Sequence, residues 1–253
     1  EKRIQEDYLR ILRYLRFFLN YSKQPHNEKI IKLIKVNIKG ISRISKERLL
    51  DELKKLFKSN HLDKLSEDKF GIELLLLIFP ELRNIKSVLN LIKNKKKLFN
   101  DLDFIFILSL MIIDETDNFD YFLYKYNISK KDQKRIKIIN NFYKENKISK
   151  YHNETKLNKV FYYDGKQAVL DILNFKIIKS KKYNKELHSL YELFKSKAIP
   201  NIPFGAETLM YKYKIPEGRQ LGIKLKLIEE EWVKNDFKIS DKEIDSIIYS
   251  KDI

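Results

Sequence analysis

Cysteine is absent, so the chain can build neither a disulfide framework nor a thiolate metal centre, and its redox compartment is left open. Glycine and proline are scarce, at six and five residues. So few turn signals, with apolar residues recurring at helical rather than alternating spacing, speak against a strand-rich fold and for an all-α one. No apolar run approaches the ~20 residues of a membrane-spanning helix. The longest, Ile72 to Phe79 and Phe104 to Ile113, read as buried core helices. No signal peptide is evident and no fixed-period repeat. The four histidines, His26, His61, His152 and His188, are scattered without ligand spacing, which argues against a zinc site or a His-Asp hydrolase. Acidic side chains are the minority charge, 35 against 52 basic ones, for a formal net charge of +17. That balance implies an anionic partner, nucleic acid being the commonest. Some of the Lys, Ile, Asn and Tyr excess is also what A/T-rich codons write, so charge alone is weak evidence. The 253 residues are enough to bury a substantial core.

The densest interleaving of charge and apolarity lies at the start, where a first helix is expected through Phe18. At ~100° per residue, Ile4, Tyr8, Ile11, Leu12, Leu15, Phe18 and Leu19 share an apolar arc. Arg3, Glu6, Arg10 and Arg13 lie on the polar arc, with Asp7 at its edge three residues before Arg10. Adenine and cytosine each present an amino donor beside a ring-nitrogen acceptor, whereas guanine and uracil present the reverse. An Asp carboxylate only accepts and an Arg guanidinium only donates, so Asp7 and Arg10 together match A or C on the pairing edge. The plainer alternative is that Glu6 with Arg10 and Asp7 with Arg10 are ordinary helix pairs, worth a few tenths of a kcal/mol.

Arg3-Ile4-x-Glu6-Asp7-x-Leu9-Arg10-Ile11-Leu12-Arg13-x-x-Arg16-Phe17 resembles the E-D-x-x-R motif in the neck of class II CCA-adding tRNA nucleotidyltransferases and bacterial poly(A) polymerases. The resemblance implies that Asp7 and Arg10 template the incoming nucleotide and that Arg13 and Arg16 also bind it, with Arg3 and Glu6 supporting. Arg16 falls almost opposite Asp7 on an ideal helix, so contact with the chain's own helices or with RNA is its alternative. Ile44-Ser45-Lys46-Glu47-Arg48-Leu49 through Glu52-Leu53 reads as a helix with Ser45 as N-cap and Glu47 near the positive end of the dipole. It also resembles the family's second neck motif, I-S-x-E-R-[IL]-x-x-E-L, which implies that Ser45, Glu47 and Arg48 help buttress the templating helix.

Further on, helices are expected from Glu28 to Val36, ended by Gly40, and at Leu89–Leu98, Phe119–Tyr126, Lys130–Glu145, Ser149–Tyr163 and Gly165–Phe175, the last capped by Asp164. In the tail, Pro216 suits a first helical turn. With Gly218 allowing close approach and Arg219 and Lys224 nearby, exposed amides there would favour a phosphate; glycine for packing is the alternative. The stretch resembles the family's G-x-D-L and P-G-x-x-[IL]-G tail, associated with the tRNA end distant from the acceptor, although Glu207 replaces the usual Asp and Glu217 precedes Gly218.

Asp101-x-Asp103 invites comparison with metal-binding carboxylate pairs, but it precedes an apolar run, where capping explains it. Asp114, Glu115 and Asp117 read as a polar connector. The family's Gly-Ser loop, its Asp-x-Asp pair on a sheet and its Arg-Arg-Asp motif have no counterpart here, and the chain opens at Glu1 inside a motif. The expectation is therefore an elongated all-α neck (1–60), body (61–182) and tail (183–253) without the catalytic head, inactive alone. The implied function is selecting CTP and ATP and binding tRNA for an enzyme that adds CCA, with Mg²⁺ held by the head and a cytoplasmic setting without membrane. A poly(A) polymerase part, or a stand-alone helical RNA-binding protein, are the other readings.

Overall fold

The computed structural model describes all residues except 1, 60, 95–98, 100–101, 149–153, 181 and 251–253; at 146–148 it describes the backbone alone. Sixteen α-helices and no strand occur among the described residues. None of these helices is long and apolar enough to cross a membrane. By packing, the chain divides into two compact units, Glu1–Asn140 and Asn141–Ile253, so neither expected boundary, at 60 or at 182, coincides with the division.

In the first unit, α1 (Lys2–Glu6) and α2 (Arg10–Tyr21) are separate helices. The expected single helix is interrupted because the Asp7 carboxylate accepts from the Leu9 amide at 3.2 Å. A short acidic side chain that satisfies a nearby backbone donor competes with the helical ladder. Leu9, Ile11, Leu12, Leu15 and Leu19 are buried, whereas Ile4, before the break, and Tyr8, within it, are half-buried. Helix α3 (Glu28–Asn37) begins at Asn27, whose side chain accepts from the Lys29 amide, and passes into a 3₁₀ turn over Ile38–Arg43. Gly40 lies inside that turn rather than ending the helix. A Cβ there would meet the Tyr8 ring at 2.0 Å, so its absence makes room for Tyr8.

Helix α4 (Lys46–Phe57) buries Leu49, Leu53, Leu56 and Phe57, with Glu52 among them. After α5 (Leu62–Leu65), helix α6 (Lys69–Ile78) is apolar on nearly every side, as a core helix must be. Its N-cap Asp68 accepts from the Gly71 amide at 2.8 Å, and a Cβ on Gly71 would stand 2.9 Å from Leu15 of α2. That glycine therefore sets how closely α6 approaches α2. Asp68 also bonds His26 at 2.8 Å, and the other ring nitrogen of His26 bonds the Tyr14 hydroxyl at 2.8 Å. Helices α7 (Ile85–Asn94), α8 (Phe104–Ile112) and α9 (Asn118–Lys125) complete the core. Asp103 caps α8 by accepting from the Phe106 amide at 3.0 Å; Asp101 lies outside the described residues.

The division between the units falls in α10 (Lys130–Ile148). The second unit continues with α11 (Glu154–Tyr163) and α12 (Lys166–Lys179). The N-cap of α12 is Gly165 at φ 89°, not the expected Asp164, and no side chain caps it. Next come α13 (Lys185–Ser196), α14 (Ala206–Tyr213), α15 (Arg219–Lys234) and α16 (Asp241–Tyr249). Helix α15 starts only after Gly218, so Pro216 precedes it rather than forming its first turn. Leu209, Leu221, Ile228, Ile244 and Ile248 form the core of the last three helices.

One half-buried cation in this unit makes stability depend on pH. The Lys176 ammonium lies 4.7 Å from the centre of the Phe142 ring, and burial pulls its pKa from 10.5 down to about 8. Between those values the unfolded chain binds more protons than the folded one, so stability from this group rises with pH through that window. Burial also raises the Tyr162 hydroxyl, to about 12, with a hydrogen bond from it to Glu229 adding to the rise, an effect of opposite sign that begins near pH 10. Urea unfolding of the wild-type chain between neutral pH and about pH 10 is expected to show a rise that Lys176→Met flattens.

Candidate nucleotide-binding site

The turn at Asp7–Leu9 brings α2 to its start with Arg10 as the first helical residue. The Asp7 carbonyl accepts from the Arg10 amide at 3.0 Å, and the Tyr8 carbonyl from the Ile11 amide at 3.1 Å. Arg10 is exposed at this edge. The guanidiniums that reach the Asp7 carboxylate are those of Arg13, at 3.4 Å, and Arg48, at 3.2 and 3.1 Å to its two oxygens. The expected side-by-side pair of Asp7 with Arg10 is thus replaced by a clasp across two helices. With the Leu9 amide, four donor contacts converge on Asp7, about as many as a carboxylate has lone-pair sites.

Arg48 stands in the first turn of α4, and its amide donates to the Ser45 side chain at 3.4 Å. That cap fixes where the helix begins and so where Arg48 leaves it. Glu47 is exposed; a hydrogen bond with its own backbone amide, then bonds with the Ser45 and Asn127 side chains, hold its carboxyl below the usual range against the opposing effect of burial. One turn beyond Arg48, Glu52 is 2% exposed and accepts from Arg16 Nε at 2.5 Å, with Arg13 Nε 3.8 Å from its other oxygen. Arg16 therefore contacts the chain's own helix, the alternative its position on the helical wheel left open. Arg3 and Glu6 lie exposed on α1.

Three guanidiniums, Arg13, Arg16 and Arg48, engage two carboxylates, Asp7 and Glu52, and Arg10 adds a fourth cation, exposed at the start of α2. That leaves an excess of two positive charges beside an acceptor at the edge of the site. Such a site suits a ligand that carries both an amino donor and phosphate. Glu52 is the residue that sequence reasoning passed over as a site member. Its signal is an acid inside the apolar spacing of Leu49, Leu53 and Leu56, where burial demands a cationic partner.

The tail candidates separate. Arg219 is exposed at the first position of α15, behind Gly218 at φ 152°. Lys224 is 8% exposed and donates to the Ile247 carbonyl at 2.8 Å and the Ser250 carbonyl at 3.2 Å. These carbonyls belong to the unpaired end of α16, where a cation also complements the helix dipole. The expected phosphate contact by Lys224 is corrected accordingly: its ammonium is a helix cap. Lys224→Met is expected to lower stability by on the order of 1–2 kcal/mol in urea unfolding, whereas Arg219→Ala should stay within about 0.5 kcal/mol.

A family model described as "Probable RNA and SrmB- binding site of polymerase A" matches residues 27–86, which include Ser45, Arg48 and Glu52. The mitochondrial CCA tRNA nucleotidyltransferases 1 of Mus musculus and Homo sapiens are each 27% identical over 98% of the chain and 56% of their own length. The Danio rerio protein of the same name is 46% identical over a 67-residue stretch. The chain thus spans about half the length of the curated relatives it matches. Among solved structures, the Bacillus stearothermophilus CCA-adding enzyme in complex with CTP superposes with a TM-score of 0.61 at 17% identity, over 98% of this chain and 62% of that one. The Thermotoga maritima CCA-adding enzyme complexed with tRNA gives 0.57 at 17% identity, over 97% and 61%. By sequence along nearly its whole length the chain is thus similar to part of the CCA tRNA nucleotidyltransferases, and its all-α fold is like that of part of the solved CCA-adding enzymes.

Proposed function

We propose that this chain is the nucleotide-selecting and RNA-binding part of a tRNA nucleotidyltransferase that adds C, C and A to RNA 3′ ends from CTP and ATP. The observation that carries the reading is the Asp7 carboxylate, held by Arg48 and Arg13 in a turn whose Asp7 carbonyl accepts from the amide of the exposed Arg10. A cytosine or adenine amino group donates to Asp7 while Arg10 donates to the adjacent ring nitrogen. Guanine and uracil would set donor against donor at Arg10 and acceptor against acceptor at Asp7. Because four donor contacts already converge on the Asp7 carboxylate, the base must displace one of them. The Arg13 bond is the longest of the four and reaches one oxygen only, whereas Arg48 reaches both, so Arg13 is the group that yields and turns toward the nucleotide phosphates. Arg48 stays and keeps the carboxylate aimed.

The reaction's Mg²⁺ does not fit the residues here. Among the described residues no group of three or more His, Cys, Asp or Glu side chains could hold a metal, and both site carboxylates are engaged by guanidiniums. On this reading the metal and the activation of the 3′-hydroxyl belong to a catalytic head outside these residues. The net charge of +17 and the match to an RNA-binding family model support tRNA as the partner, with Arg219 as one backbone contact in the tail.

In the active enzyme that contains this chain, Asp7→Ala is expected to erode discrimination against UTP and GTP by roughly ten- to a hundredfold, as loss of a bidentate base contact does. The melting temperature should change little. Steady-state kinetics with each of the four nucleotides decides it; unchanged base selectivity would leave the Asp7 clasp as a structural ion pair only.

A further inference from the structure

Beyond Arg10, the outward face of helix α2 carries aromatic side chains that base reading does not use. At 100° per residue, Arg10, Tyr14, Phe17 and Tyr21 fall within about 60° of one another, opposite the buried Leu12, Leu15 and Leu19. Phe17 is 48% exposed and Tyr21 76%. Two large rings left open to water one helical turn apart are costly for a chain that had only to fold. Their planes lie 26° apart, with centres 6.1 Å from each other. The Arg16 guanidinium, itself anchored on Glu52, sits 4.6 Å from the centre of the Phe17 ring. Pro25, Asn27 and Ile30 line the same shallow groove, and Asn27 is where the match to the RNA-binding family model begins.

We infer that Phe17 and Tyr21 form a stacking platform for an unpaired base of the RNA strand whose 3′ end is presented to the Asp7–Arg10 site. Three features select a nucleobase over an apolar protein segment as the occupant. The surface consists of near-parallel rings, which a flat π-face matches and an aliphatic side chain does not. The Arg16 guanidinium over Phe17 keeps positive charge beside the rings, in keeping with the chain's excess of positive charge and with a strand that carries phosphates. The surface also continues along the outward face of the helix from Arg10, with Phe17 about 10 Å further along the axis, so one strand can reach both. A stacked base is read by its face and not by its edge, so the platform holds any of the four bases and leaves selection to Asp7 and Arg10. This inference rests on the proposed function in taking the strand to be the RNA that is extended.

The test uses the full chain and a hairpin RNA with a short 3′ overhang in which one unpaired adenine is replaced by 2-aminopurine, whose fluorescence is quenched on stacking. The wild-type chain should quench it. Phe17→Leu with Tyr21→Leu, which removes the rings but keeps apolar bulk at exposed positions, should abolish the quenching and weaken overhang binding by about five- to a hundredfold, the span of one stacked base. Affinity for the same hairpin with a blunt end should stay unchanged. Phe17→Trp on the Tyr21→Leu background should restore quenching. Retained quenching and overhang affinity in the double leucine variant would overturn the platform and leave the rings as a surface for a protein. Asp7→Ala should leave the quenching intact, so a failure of base selection by Asp7 and a failure of stacking by Phe17 and Tyr21 are separately visible.

Discussion

A single buried carboxylate organises the candidate site. Glu52 sits at 2% exposure inside the apolar face of α4, where an unpaired charge would cost several kcal/mol. Its requirement for cationic partners fixes Arg16 at 2.5 Å and draws Arg13 to within 3.8 Å. That constraint sets α2 against α4 at one register along their shared seam. From this register the rest follows. Arg48, one turn before Glu52, meets Asp7; Arg13 divides its attention between the two carboxylates; and Arg10 is left at the solvent edge. Removing Glu52 would therefore do more than delete one ion pair, because it holds the geometry of residues that it does not touch.

The second level of support comes from the α6 side. Gly71 allows α6 to lie against Leu15, and Asp68, which caps α6, is joined through His26 to the Tyr14 hydroxyl on α2. The His26 ring stacks on Phe18 at 3.5 Å between centres. Helix α2 is thus gripped on one flank by charge and on the other by a polar chain embedded in aromatic packing. Rigid placement of this kind is what a site that discriminates bases by donor and acceptor position requires.

Much of this was legible in the sequence, and the exceptions have physical causes. Helical periodicity and scarce Gly and Pro indicated the all-α class, and the Ser45 cap was evident from a hydroxyl followed by an acidic first turn. The interruption at Asp7–Leu9 was not, because Arg3 through Phe18 keeps helical periodicity throughout. Only the competition of the Asp7 side chain for the Leu9 amide breaks the helix, and that depends on local geometry which periodicity does not encode. Lys224 was misassigned for a related reason. In sequence it is a cation near a glycine-rich turn, whereas in space it lies beneath the end of a helix 23 residues later. Charge is visible in a sequence, but the acceptor it will find across a fold is not.

The four donor contacts on Asp7 carry a consequence for kinetics. A carboxylate already covered by the protein's own groups offers itself to a base only in the fraction of molecules where Arg13 has let go, and apparent affinity falls by that fraction. On the proposed reading, Arg13 stands within reach to reclaim that position when a nucleotide leaves, and each nucleotide is held more weakly than its base contacts alone would hold it. That suits a machine that must accept cytosine twice and adenine once at the same carboxylate, and whose turnover would suffer if any of the three stayed.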